Sequence, residues 1–261
     1  MKSIAVFEEL NYKFSDKFEK LAGLRYDKIT DFDGEISPHI ALIYKPKDKM
    51  NYKFIINKAF RSPGYKEYNY DDGDLTVNSK LKPEIIYSGD LISSFIFNNF
   101  TLTLDFFYSK FENLIIKNDA AGYDNNQNVI RSQYQNPYDI INYGVEAGVT
   151  GKYNKINYFF NILLAKNNQK GSMDEYSDSV TVDVVQMDDK LFNSPSVALN
   201  GGMNFGYGIF NYGIIAKYIS SRKLAQSSGL DYSIGEEYPT KTKASTLIDF
   251  NIQTAKKYSG F

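Results

Sequence analysis

Apolar and polar residues alternate one for one along most of this chain. Between 142 and 150, Tyr143, Val145, Ala147 and Val149 take one parity, and Asn142, Gly144, Glu146, Gly148 and Thr150 take the other. Leu102, Leu104, Phe106 and Tyr108 alternate with Thr103, Asp105, Phe107 and Ser109; Thr246, Ile248, Phe250 and Ile252 alternate with Leu247, Asp249, Asn251 and Gln253. Val197, Leu199, Met203, Phe205 and Tyr207 follow the same rule. Successive side chains of a strand point to opposite faces, so a period of two predicts strands with one apolar face. Helical spacing of three and four residues is not sustained over any long window. The pattern predicts about eleven strands, over residues 4–14, 18–29, 38–44, 52–59, 83–97, 100–116, 140–152, 156–166, 196–207, 210–220 and 244–255. Several reach the roughly 9–11 residues that cross a bilayer at a tilt, against five or six for a globular strand.

The connections carry a second signal. Those at 15–17, 45–51, 98–99, 153–155 and 208–209 are tight, while those at 61–82, 117–139, 167–195 and 221–243 are long and rich in Asp, Asn, Ser and Gly. The middling one at 30–37 falls in phase with the long set. Short turns on one rim and long loops on the other are how outer-membrane barrels are wired. Aromatic residues recur beside the short turns: Tyr12 and Phe14, Tyr44 and Tyr52, Phe97 and Phe100, Tyr153 and Tyr158, and Tyr207, Phe210 and Tyr212. Rings at the membrane–water interface form such girdles. Together these features predict an all-β, antiparallel, up-and-down transmembrane sheet. Tyr143, Val145, Val149, Leu104, Phe106, Phe205 and Ile248 are expected on its convex, lipid side, and Glu146, Asp105, Asn204 and Asp249 on its concave side.

Composition narrows the function. The 261 residues hold 30 Lys plus Arg against 31 Asp plus Glu, for a formal charge of −1. That balance lacks the clustered positive charge of a nucleic-acid binder. A mean hydropathy of −0.41 fits a barrel, because every second residue can face a polar lumen. No run approaches the roughly 18–20 apolar residues of a spanning helix. There is no cysteine and one histidine, so thiolate metal sites and cysteine nucleophiles are excluded. No nucleophile–base pair and no Gly-flanked serine elbow is present, so no enzyme and no bound cofactor is expected. Lys2 and a short apolar patch at 4–7 precede Glu8 and Glu9, which is neither the core nor the cleavage site of a secretory signal. On the barrel reading, the chain is expected to lack its true N-terminus.

Short tags then occur in a telling order. GLRYD stands at 23–27, SPHIAL at 37–42, AFRSP at 59–63, NSKLKPE at 78–84, NYGVEAG at 142–148 and STLIDFNI at 245–252. This series resembles TonB-dependent outer-membrane receptors, whose barrels carry a GLRYD strand, SPR-x-AL, FRAP and NPNLKPE, and later a GxE strand. The resemblance covers nearly the whole chain, and NSKLKPE departs from the family tag at two positions. It implies a plugged barrel of about 22 strands, importing scarce nutrients with energy delivered through TonB. Residues 1–261 would then be a partial barrel: an open sheet of about eleven strands, without plug, TonB-binding box or terminal strand, whose edge strands do not pair with each other. The implied setting is the outer membrane of a Gram-negative bacterium. Implied partners are outer-membrane lipid, a small-molecule nutrient such as a ferric siderophore, and the TonB complex through the absent N-terminal region.

Haem receptors of the family carry a histidine between the FRAP and NPNL tags. Residues 64–77 hold none, so an iron–siderophore complex is the expected cargo. His39, on a strand where the family often has Arg, reads as structural. Arg61, Tyr65, Tyr68 and Tyr70 open the first long loop, and Tyr and Arg are common recognition residues; they are the expected ligand contacts. Asp71, Asp72 and Asp74 around Gly73 lack the spacing of a calcium loop. Gly144, Gly148 and Gly151 are followed by no helix that could receive a pyrophosphate, and read as relief of crowding on a strand. The rival readings are a passive porin or structural barrel, and a soluble β-sandwich binding module.

Overall fold

The computed structural model describes residues 2–69, 75–118, 122–123, 129–130, 132–171, 194–222 and 241–254. Eleven long strands form one sheet in chain order. They are β1 (Ser3–Ser15), β2 (Phe18–Ile29), β3 (Glu35–Lys47), β4 (Met50–Arg61), β5 (Glu84–Ile96) and β6 (Phe100–Asn118). The sheet continues with β7 (Ser132–Tyr153), β8 (Ile156–Lys170), β9 (Val197–Tyr207), β10 (Phe210–Ile219) and β11 (Ser245–Thr254). Every consecutive pair is antiparallel. The sheet is open: β1 and β11 are its two edges, and every residue of each is exposed. A single five-residue helix, α1 (Tyr65–Asn69), is the only helix among the described residues.

The register places the two alternating sets on opposite faces of the sheet. Glu146 stands opposite Asp105, and Val145 opposite Phe106; Asn204 pairs with Gly213, which pairs with Asn251, two residues from Asp249. Ile248 connects through Ala216, Gly201 and Phe160 to Val149. The expected apolar set thus shares one face and the expected polar set the other. A hollow of about 390 Å³ opens on the polar face between Asp105, Glu146, Gly148, Asn161 and Asn200. On the apolar face large side chains stand unpacked, with Phe250 75% and Phe106 50% exposed. Among the described residues no second sheet covers this face of the one-layer wall, so these side chains have nowhere to bury.

Where two inward side chains would collide, glycine makes room. Gly144 stands opposite Phe107, and the Phe107 ring occupies the space a Cβ on Gly144 would take, with the Leu164 carbonyl crowding the other side. Gly23 does the same for His39, whose imidazole crosses it to reach Glu9 at 3.3 Å. The histidine ties β3 to β1 over an intervening strand, in keeping with a structural role.

The structure differs from the pattern mainly at strand ends. The turn expected over 45–51 shrinks to residues 48–49, because β3 runs on through Pro46 with a register shift between Tyr44 and Lys47. Proline cannot donate to the ladder, and an interruption of regular pairing accommodates it. The loop expected over 117–139 is largely strand: β7 begins at Ser132, and residues 122–123 pair with 129–130. Likewise β8 runs to Lys170, four residues beyond its expected end. β6 and β7, with 19 and 22 residues, exceed the roughly 9–11 needed for a bilayer, so their long-loop ends project past it. Outside a membrane neither face need be apolar, and the alternation that marks a strand fades.

Candidate functional site

Among the described residues, almost all real burial lies at this long-loop rim. Phe32, Leu81, Tyr138 and Ile140 are between 4% and 8% exposed, and Pro63 is buried beside them. A short segment straps across β7: Leu75–Thr76 runs parallel to Ser132–Gln133. Asn78 Nδ2 then donates to the Tyr134 carbonyl at 2.8 Å. Asn136 clamps Lys82 from both sides, accepting from its amide at 2.8 Å and donating to its carbonyl at 3.1 Å. The strap holds Leu81 down over the wall, so the first long loop starts from a fixed base.

Arg61, the last residue of β4, is the centre of that base. Its Nε reaches Glu84 Oε2 at 2.5 Å, and its Nη1 reaches Glu67 Oε2 at 2.9 Å. Glu84 is the first residue of β5 and lies opposite Arg61 in the ladder; its other oxygen accepts the amide of Ile115 at 2.8 Å. Burial pushes the Glu84 carboxyl up, but the bonds from Arg61 and the Ile115 amide outweigh it and hold the group below its ordinary value of 4.5. The same bond with Glu84 raises Arg61 further into its charged form.

Glu67 does two jobs. Besides pairing with Arg61, it accepts the Gly64 amide at 2.6 Å, while the amides of Glu67 and Tyr68 donate to the Gly64 carbonyl at 3.0 and 3.1 Å. A glutamate three residues past the cap, reaching back to the cap's own N–H, is half of a capping box. It starts α1 directly after Pro63. Tyr68 on that helix packs its ring on Phe32 at 4.8 Å between centroids, and Lys28 Nζ fixes the Phe32 carbonyl at 2.7 Å. The rim therefore knits β2, β4, β5, β6 and α1 together.

Of the expected ligand contacts, Arg61 is engaged by two carboxylates and Tyr68 is half-buried against Phe32. Tyr65 is the one with a free ring, 66% exposed. Tyr70 lies outside the described residues, as do Asp71, Asp72, Gly73 and Asp74. Glu67, Glu84 and Asn136 carry the geometry and were not singled out from the sequence, although the spacing Gly64–Glu67 was the available signal.

Below the rim, the polar face presents a row in register across eight strands: Glu9, Gly23, His39, Asn57, Ser88, Ser109, Asn142 and Asn167. Asn57 donates to Ser88 at 3.2 Å. Asn142 and Asn167 stand opposite each other, each with an Oδ1 that no neighbour satisfies; Asp105 Oδ1 and Asn200 Oδ1 further down the face are alike. Groups of this kind normally find a partner or water. No group of His, Cys, Asp and Glu suited to a metal ion occurs among the described residues.

An eleven-strand meander with an apolar face, a polar face, an aromatic belt at the short turns and a tied-down rim at the long loops sets the architecture. The family model described as TonB dependent receptor-like, beta-barrel matches residues 1–259. The chain belongs to the TonB-dependent receptors. Solved structures of similar fold include a ferric enterobactin receptor mutant from Pseudomonas aeruginosa in complex with enterobactin. It has TM-score 0.74 and 14% identity, with 98% of this chain and 38% of that one covered. The siderophore receptor PirA from Acinetobacter baumannii gives TM-score 0.69 at 16% identity, covering 97% and 39%. The copper transporter OprC also gives 0.69, at 15% identity, covering 98% and 40%. At such identities the likeness shows the fold alone. The chain spans about two-fifths of the length of these receptors. No curated protein matches it. TonB-dependent receptors are receptors and transporters rather than a class of enzyme, and the porin and β-sandwich readings fall with the family match.

Proposed function

We propose that residues 1–261 act as one barrel-wall unit of an outer-membrane receptor for energised uptake of an iron–siderophore complex in a Gram-negative bacterium. The family match over residues 1–259 carries the reading, and receptors for enterobactin and other siderophores among the similar folds favour this cargo. In this reading the apolar face meets lipid and the polar row faces the lumen. Energy arrives from the TonB complex through a part of the receptor outside this chain. Ligand contact falls to Tyr65, presented by the Arg61–Glu67–Glu84 clamp and the Tyr68–Phe32 contact, with Tyr70 further along the same loop. Aromatic rings recognise the flat, π-rich faces of catecholate chelates at small entropic cost.

The chain has 22 Tyr and no Trp, so tyrosine emission in detergent micelles reports binding directly. A panel of ferric siderophores should quench it saturably, and Tyr65→Ala should weaken the response about tenfold, the usual scale for one aromatic contact. Saturable quenching by copper complexes, with none by any ferric siderophore, would refute the cargo. The copper transporter of equal TM-score makes that second outcome a real competitor.

A further inference from the structure

The short-turn rim carries an excess of positive charge where β1 to β4 meet it. The β1–β2 hairpin holds Lys13, Lys17 and Lys20 against Asp16 and Glu19; the β3–β4 hairpin holds Lys45, Lys47 and Lys49 against Asp48. The two hairpins are stitched together, the Lys45 amide donating to the Lys17 carbonyl at 2.7 Å. Lys13 is spent on Asp16 at 2.7 Å, and Lys49 bonds Asn98 of the next hairpin at 3.0 Å. Lys17, Lys45 and Lys47 are exposed. The β7–β8 turn adds Lys152 and Lys155 and no carboxylate, while the turns after Phe97 and Tyr207 carry no charge. At the opposite rim the β2–β3 connection carries Asp27, Asp31, Asp33 and Glu35 beside Lys28, with Asp27 paired to Arg25 and Glu35 to Lys58.

The aromatic belt fixes how high these lysines stand. Phe14 lies 5.4 Å from Phe18, and Tyr44 lies 6.3 Å from Tyr52, all on the apolar face beside the same two turns. Rings of this kind settle at the head-group level, so the two turns just beyond them lie level with the phosphates. A lysine in such a turn has a stem long enough for its ammonium to reach them from either face of the wall.

We propose that the β1–β4 end of the short-turn rim binds the phosphate groups of anionic phospholipid, through Lys17, Lys45 and Lys47. Charge complementarity and the position of the belt select a membrane surface over a soluble acidic protein. The inference rests on the membrane reading above. Each lysine near an anionic surface strengthens binding about fivefold at low salt, and the effect fades as salt screens it.

The test is partition of the whole chain from micelles into vesicles of phosphatidylcholine, alone or mixed with phosphatidylglycerol, followed by flotation. The wild type should prefer the anionic vesicles, and Lys17→Gln/Lys45→Gln/Lys47→Gln should lose on the order of a hundredfold of that preference. Lys80→Gln/Lys82→Gln, at the other rim, should keep it. Equal partition of the wild type into both vesicles would overturn the inference and leave the membrane reading standing. So would a preference that survives the triple substitution. Failure to enter either vesicle would overturn the membrane reading and the inference with it. Tighter capture by soluble polyglutamate than by either vesicle would assign the rim to an acidic protein and also overturn it.

Discussion

Replacing Glu84 with alanine removes two interactions at once: the bond to Arg61 Nε and the acceptor of the Ile115 amide at 2.8 Å. A charge-assisted bond contributes about 1.5–3 kcal/mol when shielded. The Arg61 side chain is 48% exposed, and solvent screening leaves roughly 0.5–1 kcal/mol of that. The stranded Ile115 N–H adds about 1–2 kcal/mol, because it lies part-buried at the strap. The sum is near 2 kcal/mol, or about thirtyfold in a local opening equilibrium. Amide hydrogen exchange in micelles reads this directly. Ile115 and the amides of α1 should lose protection by about that factor, while Val145 and Phe106 in the middle of the wall stay unchanged. Glu84→Gln keeps an oxygen for Ile115 and should lose less. The pH dependence has a definite sign. A carboxyl held below its ordinary value stabilises the rim above that value, and the contribution disappears as pH falls through the folded-state value. Wild-type rim protection, corrected for intrinsic exchange, should therefore decline only below about pH 4.5 and approach that of the alanine variant, whose own profile lacks this step. Unchanged protection at Ile115 in the variant, or a loss spread evenly over the wall, would show that the clamp does not hold the rim.

Three other perturbations separate the parts of the architecture. Leu81→Ala empties a site only 5% exposed and should loosen the strap by about 2–4 kcal/mol, seen as faster proteolysis near 75–83 with the wall intact. Val145→Arg places a charge on the apolar face in mid-strand and should cost about 2–4 kcal/mol of insertion into vesicles, whereas Asp105→Asn on the polar face should insert normally. Gly144→Val drives a branched side chain into the Phe107 ring and the Leu164 carbonyl. It should abolish the heat-modifiable band of a folded wall in cold detergent gels, and a normal band would show that the glycine is not needed for close approach.

The sheet was legible because a membrane wall is the simplest of amphipathic objects. Val145 and Glu146 have opposite surroundings, and nothing else in the chain competes to set their parity. The short turns were legible for the same reason, since Phe97 and Phe100 announce the interface on both sides of Asn98–Asn99. The rim obeys other forces. Residues 132–139 resemble a loop because polar residues and Pro137 interrupt the alternation, and the strand there is held by its ladder together with the side-chain bonds of Asn78 and Asn136. Arg61 stood out as a cation at a loop mouth. That its charge is answered by Glu67 and Glu84, six and 23 residues away, depends on a hairpin whose spacing only the fold sets. Tyr68 similarly needed Phe32, a partner from another loop, before its ring could be distinguished from that of Tyr65.

Eleven is an odd number, and in an alternating sheet that fixes a polarity. β1 and β11 both run from the long-loop rim towards the short-turn rim or both the reverse, so the two edges offer ladders of identical sense. Rolled shut on itself, the sheet would meet at a parallel seam. Two copies placed side by side about a common barrel axis would do the same twice. A wall continued past both edges closes with antiparallel pairing throughout only when the continuation brings an odd number of strands. Parity, a property no single residue carries, thus dictates which kind of complement this surface can accept.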